Sequence, residues 1–175
     1  AIKARGVPEV WGIDPSPYAL QYAGVTYPDL RIAHGVGEDL PFDDQRFDGA
    51  AIMYLVHEVP ADVGTAMFRE AWRVLKPGGR LAVSDIVRRR AVPDALGASI
   101  ELWVGCVAGA LEASDYRARL AAVGFVDIEV EPTRTDRSAH RGACAEESGC
   151  GPHAISEQVD EAFMSAFVRA TRPPA

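Results

Sequence analysis

The stretch FREAWRVLKPGGRLAVSD, residues 68–85, decides the fold. Met67, Phe68, Ala71, Trp72 and Leu75 recur at three- and four-residue spacing and form one apolar stripe, which predicts a helix over Asp62 to Leu75. Lys76-Pro77-Gly78-Gly79 stops that helix, because proline cannot continue it and glycine suits the turn beyond its end. Arg80 to Ile86 then reads as a strand. A helix running through a sharp stop into a strand is the closing half of a crossover unit, the connection that joins parallel strands.

The same alternation extends in both directions. Upstream, Phe47 to Leu55 is an almost continuously apolar run, expected to be a strand buried on both faces. Leu30 to His34 is a shorter strand, and Glu9 to Ile13 another. Asp14 ends the latter, and Pro15-Ser16-Pro17 opens a helix continuing through Tyr18 to Ala23, with Pro17 tolerated in its first turn. Downstream, Asp94 to Gly109 predicts one or two apolar helices, and Ser114 is expected to cap a helix running to Val123. Gly124-Phe125 turns into a strand reaching Glu131. Residues from Thr133 to Pro152 are polar and aperiodic, so 134–152 reads as a flexible loop carrying two cysteines. A short helix over Ile155 to Asp160 and a strand over Phe163 to Arg169 complete an α/β chain. There is no internal repeat and no linker, so residues 1–175 read as one domain.

Composition narrows the function classes. A chain of 175 residues can bury one real core. A net charge of -7 argues against binding nucleic acid as the main activity. Arg88-Arg89-Arg90 is the one basic cluster, read as a solvated loop after a strand. No apolar run approaches the roughly 20 residues of a membrane helix. The opening residues AIKARG lack a signal pattern, so secretion has no support. The three cysteines Cys106, Cys144 and Cys150 are too few for a disulfide scaffold and odd in number. A reducing cytoplasm is the expected setting.

Certain residues carry chemistry. Asp14 sits where a strand hands over to a helix, the edge at which parallel sheets bind ligands. It is either an acceptor for the hydroxyls of a ribose or an ordinary helix cap. Tyr54, Leu55, Val56, His57 and Glu58 leave the third strand. His57 is either a general base, since imidazole titrates near neutrality, or part of a His-Glu pair that caps the strand and shapes a pocket. Cys106 lies in an apolar helix, where a free cysteine is commonly plain core. Cys144 and Cys150 read as soft-metal ligands, as a disulfide, or with His140 and His153 as a metal site, although the spacing is not a zinc pattern.

The order VWGIDPS (10–16), GVGEDLPFDDQRFD (35–48) and FREAWRVLKPGGRLAVSD (68–85) resembles the class I S-adenosylmethionine-dependent methyltransferase superfamily. The resemblance implies a Rossmann-like sheet with flanking helices and an antiparallel last strand. It implies S-adenosyl-L-methionine as cofactor, with Asp14 holding its ribose. It also places Gly37, Glu38, Asp39 and Leu40 beside the adenine, with Pro15 and Tyr54 counted among the cofactor residues. One family feature has no counterpart. The glycine-rich loop should lie about 20 residues before the acid, yet 13 residues precede Asp14. The chain is therefore expected to lack the first, mid-sheet strand and that loop, and to bind the cofactor weakly or not at all. The His57-Glu58-Val59-Pro60 stretch resembles a branch acting on small molecules, which implies an oxygen or carbon acceptor with His57 as base.

The downstream half is similar to bacterial arsenite methyltransferases. The residues that carry this are IELWVGCVAGALEASDYRARLAAVGFVDIEVEPTR (100–134) and DEAFMSAFVRATRP (160–173). Their most specific part, ELWVGCVAGAL, makes Cys106 an arsenic ligand, and Cys144 and Cys150 are then expected to close over the same ion. Trivalent arsenic is soft and favours thiolates. Held in a pyramid, its lone pair attacks a methyl carbon without any proton to remove. A cellular thiol reductant is the implied partner. Some relatives have a further cysteine where this chain has Glu161. Trp103 walls the pocket or is plain core. The expected function is methyl transfer to arsenite. The alternatives are a small-molecule O- or C-methyltransferase and a non-catalytic fragment that binds soft metals through the cysteine loop. The arsenite reading requires Asp14 and Cys106 to face one cleft.

Overall fold

The computed structural model describes residues 6–7, 9–89, 109–134 and 162–175. Strand β1 (Trp11–Asp14) leads into helix α1 (Pro17–Thr26) and strand β2 (Arg31–His34). Strand β3 (Phe47–Met53), a one-turn 3-10 helix (Val56–Glu58), helix α2 (Ala61–Val74) and strand β4 (Leu75–Arg88) follow. Helix α3 (Ala113–Val123), strand β5 (Val126–Arg134) and strand β6 (Phe163–Thr171) complete the described chain.

The strands form two sheets. β1 and β2 pair in parallel, and the larger sheet has the order β3-β4-β6-β5. β3 and β4 are parallel, while β6 runs antiparallel to both neighbours, as expected for the last strand. Among the described residues no strand pairs with the outer edges of β1 and β3.

The core lies against the larger sheet. Phe68 and Ala71 of α2, Tyr116 and Leu120 of α3, and Leu81, Val83 and Val87 of β4 are buried together with Ala166 and Val168 of β6. α2 ends where expected because Leu75 turns extended (φ -75°, ψ 139°) and begins β4. Arg172 closes the helix end: its guanidinium donates to the carbonyls of Trp72 (2.8 Å) and Leu75 (2.6 Å) and stacks 3.6 Å from the Trp72 ring. A cation on the last carbonyls of a helix supplies the hydrogen bonds and charge that the helix end lacks. α3 ends at Gly124, whose φ of 109° a side chain would resist.

Several expectations need correction. β3 is not buried on both faces: Ala51 and Met53 are exposed, because no described element packs on that side. Ser114 is not the cap of α3; Glu112 holds that position and makes no side-chain capping bond. Arg88 is not in a solvated loop but ends β4, paired with Phe163 of β6. The regions 94–108, 135–152 and 155–160 lie outside the described residues. No helix among those described is long and apolar enough to cross a membrane.

Candidate active site

Asp14 is the last residue of β1 and is half-buried. One carboxylate oxygen accepts the Ser16 amide at 2.7 Å. Capping of α1 falls to Ser16, whose hydroxyl accepts from the Ala19 amide at 3.3 Å. Asp14 is therefore not spent on the helix, and its second oxygen takes no hydrogen bond among the described residues. The neighbouring backbone is fixed: Gly35 donates to the Asp14 carbonyl (3.3 Å), and the His34 ring meets the Pro15 carbonyl (3.0 Å). These residues fit a ribose, whose paired hydroxyls need one such acceptor at a strand end.

The segment after β2 is carried by α2. A Cβ at Gly37 would come within 2.9 Å of the Met67 side chain, so the backbone passes the helix closely. Glu70 accepts the Leu40 amide at 2.8 Å. Arg73 donates to the carbonyls of Leu40 (3.0 Å) and Phe42 (2.7 Å), to Asp44 (2.8 Å) and back to Glu70 (2.7 Å). The Arg73 hydrogen bonds hold the Glu70 carboxyl below its usual range, and Glu70, then Asp44, push the Arg73 guanidinium up. Glu38 and Asp39 remain exposed beside this clamp. An adenine would therefore meet a backbone already held in one shape.

The third group sits where β3 ends. Tyr54 adopts φ 50°, a left-handed backbone that costs a residue with a side chain about 1 kcal/mol, and it is half exposed. The 3-10 turn then buries His57. Its Nδ1 lies in short contact with Oδ1 of Asp85, and Oδ2 of Asp85 accepts the hydroxyl of Tyr116. Asp85 has no exposed surface. Burial first, and then the Asp85 charge and hydrogen bond, push the Tyr116 hydroxyl up, so it stays protonated and donates. The His-Glu pairing expected from the sequence is present only loosely, with Nε2 of His57 3.8 Å from Glu58.

The structure thus ties Asp14 and Pro15 to β2, holds Gly37 and Leu40 against α2, and joins His57 to two residues that sequence reading missed. Asp85 had a legible signal. Leu81, Val83, Asp85 and Val87 alternate along β4, so an acid stands on the core face and requires partners. Glu70 and Arg73 were legible only as a helix pair. Cys106, Cys144, Cys150, Trp103, His140 and His153 all lie outside the described residues. Among the described residues no group of three or more His, Cys, Asp or Glu could hold a metal ion.

The family described as "Methyltransferase domain" matches residues 1–83. The chain is 41% identical over 66 residues to an arsenite methyltransferase of Halobacterium salinarum, a match covering 38% of this chain and 17% of the relative. It is 30% identical over 122 residues to the erythromycin 3''-O-methyltransferase of Saccharopolyspora erythraea, covering 60% of this chain and 37% of the relative. The matches thus span well under half the length of these curated relatives. Among solved structures, an arsenic(III) S-adenosylmethionine methyltransferase from Chlamydomonas reinhardtii superposes with a TM-score of 0.65 at 25% identity, over 95% of this chain and 56% of that one.

Proposed function

We propose, from the premise that this chain has the fold of class I S-adenosylmethionine-dependent methyltransferases, that it carries out methyl transfer to trivalent arsenic held by cysteine thiolates. The single observation that supports this most is the joint likeness to the archaeal and algal arsenic enzymes, one by sequence and one by fold. S-adenosylmethionine, when bound, supplies an electrophilic methyl carbon on a sulfonium. Asp14 would accept the ribose hydroxyls through its uncommitted oxygen, and the clamped segment from Gly37 to Leu40 would lie along the adenine. Cys106, Cys144 and Cys150 would replace the hydroxides of arsenite and leave its lone pair directed outward. Fixing donor and acceptor in line supplies much of the rate in such a reaction. A cellular thiol would restore the reduced cysteines.

The test is arsenic retention by the purified chain, read by elemental mass spectrometry after incubation with arsenite and desalting. Stoichiometric retention that is lost in Cys106→Ser supports the reading. Retention unchanged in Cys106→Ser, or none in the parent chain, overturns it.

A second reading is favoured by one specific observation, the buried contact of His57 with Asp85. A carboxylate behind an imidazole suits a base for a hydroxyl acceptor, and the likeness to the erythromycin O-methyltransferase supports the same chemistry. With that acceptor, Cys106→Ser should leave turnover nearly unchanged and His57→Gln should remove most of it.

A further inference from the structure

The candidate ribose acceptor stands at the start of a turn that has few donors of its own. Pro15 and Pro17 bring no backbone N–H. The first bond of α1 runs from the Leu20 amide to the Ser16 carbonyl (3.1 Å). The Pro15 carbonyl comes one residue earlier and takes no backbone donor among the described residues. Carbonyls left over at such a point are satisfied by side chains or by water. Here a side chain does it: Nε2 of His34 lies 3.0 Å from the Pro15 oxygen, across 19 positions of sequence.

The place of His34 is set by two neighbours. It is the last residue of β2 and stands opposite Asp14 in the parallel register. Beyond it the chain passes Gly35, whose amide donates to the Asp14 carbonyl (3.3 Å). A Cβ at Gly35 would stand 3.2 Å from Cδ of Pro41 and 3.3 Å from Cγ2 of Ile13, so the backbone there is wedged between β1 and the segment that follows Leu40. The chemistry of the bond follows from its acceptor. A carbonyl only accepts, so Nε2 must carry the proton. That proton is present in the imidazolium and in one neutral tautomer alike, so the bond needs no particular charge on the ring. The turn is thus held on three sides: Ser16 on one Asp14 carboxylate oxygen, Gly35 on the Asp14 carbonyl, and His34 on the Pro15 carbonyl.

We infer that His34 is a positioning residue for ribose recognition. Through the Pro15 carbonyl it fixes the turn on which Asp14 presents its uncommitted oxygen to the ribose hydroxyls. It touches no reacting atom, and its role is the same whichever atom accepts the methyl group. The inference rests on the reading of Asp14 as the ribose acceptor.

The experiment uses the full chain with His34→Leu, His34→Gln and Asp14→Asn. Leucine keeps much of the bulk and has no donor, whereas the glutamine amide can still donate to a carbonyl. Adenosine and 2'-deoxyadenosine, titrated to millimolar concentrations by NMR, are the probes, because their ratio of affinities reads the hydroxyl contact and not the general soundness of the fold. The parent should prefer adenosine about tenfold, the worth of one charge-assisted hydrogen bond. That preference should largely vanish in Asp14→Asn and in His34→Leu and return in His34→Gln. Without any nucleoside, the Ser16 amide should exchange with solvent several-fold faster in His34→Leu than in the parent or His34→Gln. A preference that persists in His34→Leu but vanishes in Asp14→Asn overturns the role of His34 and leaves that of Asp14 standing. A preference lost equally in His34→Leu and His34→Gln, or Ser16 exchange unmoved in His34→Leu, also overturns the role of His34. Equal affinities in the parent, or binding of neither nucleoside, overturns the ribose role of Asp14 and this inference with it.

Discussion

The β1-α1-β2 unit and the four-stranded sheet with α2 and α3 are built by opposite economies. Every residue of the main hydrophobic core belongs to the second region. Helix α1 buries none of its residues, and Tyr18, Tyr22 and Val25 stand 83%, 67% and 80% exposed along it. What fastens the first region to the second is a seam of specific contacts. Phe42 packs edge-on between Trp11 and Phe47, at centroid distances of 5.3 and 4.8 Å, with the Arg46 guanidinium against all three rings. The Glu70-Arg73 clamp continues the seam along residues 40–44. The candidate cofactor residues lie on the lightly buried side and the His57-Asp85-Tyr116 group on the core side. Stability should therefore be concentrated around the His57-Asp85-Tyr116 group, with the candidate cofactor residues dependent on the seam.

Substitutions can break or sharpen that contrast. Phe68→Ala, in the centre of the core, should cost about 3–5 kcal/mol in urea unfolding. Arg73→Ala cuts the seam and leaves Glu70 without its cation; a loss of about 1–3 kcal/mol is expected. Hydrogen exchange should then speed up over residues 40–44 while β4 keeps its protection. The acid dependence of the clamp tests the same point. Glu70 has its folded pKa depressed, so its contribution is fully present above the ordinary glutamate range and is lost as pH falls through the lowered folded value. Urea midpoints measured between about pH 5 and pH 3 should fall more steeply in the parent chain than in Arg73→Ala. Tyr18→Ala on the exposed face of α1 should change stability by no more than about 0.5 kcal/mol. A loss there as large as that from Phe68→Ala would show the two regions to be one cooperative core.

The parts of this arrangement that were legible in the sequence are those set by local patterning. The stripe through Phe68, Ala71 and Leu75, the Pro77-Gly78 stop and the alternation of β4 follow from periodicity, and the structure keeps them. Asp14 was placed at a strand end correctly because a strand and a proline-initiated helix meet there. The exposure of β3 was not legible, because an apolar run says nothing about whether a neighbour arrives to cover it. Nor was the role of Arg172, 100 residues from the carbonyl of Trp72 that it caps. The partnership of Asp85 with Tyr116 spans 31 positions and depends on how α3 docks on the sheet. Such pairings are tertiary facts, and periodicity reaches only as far as one element.

The central claim is that the acceptor of the methyl group is arsenic bound to thiolates. The most direct measurement is transfer of a labelled methyl from S-adenosylmethionine to arsenite by the parent chain and by Cys106→Ser, with products separated by chromatography. With the cofactor at concentrations high enough to offset weak binding, the account predicts labelled methylarsenicals from the parent and none above background from Cys106→Ser. Equal labelling of arsenic by both proteins would contradict it.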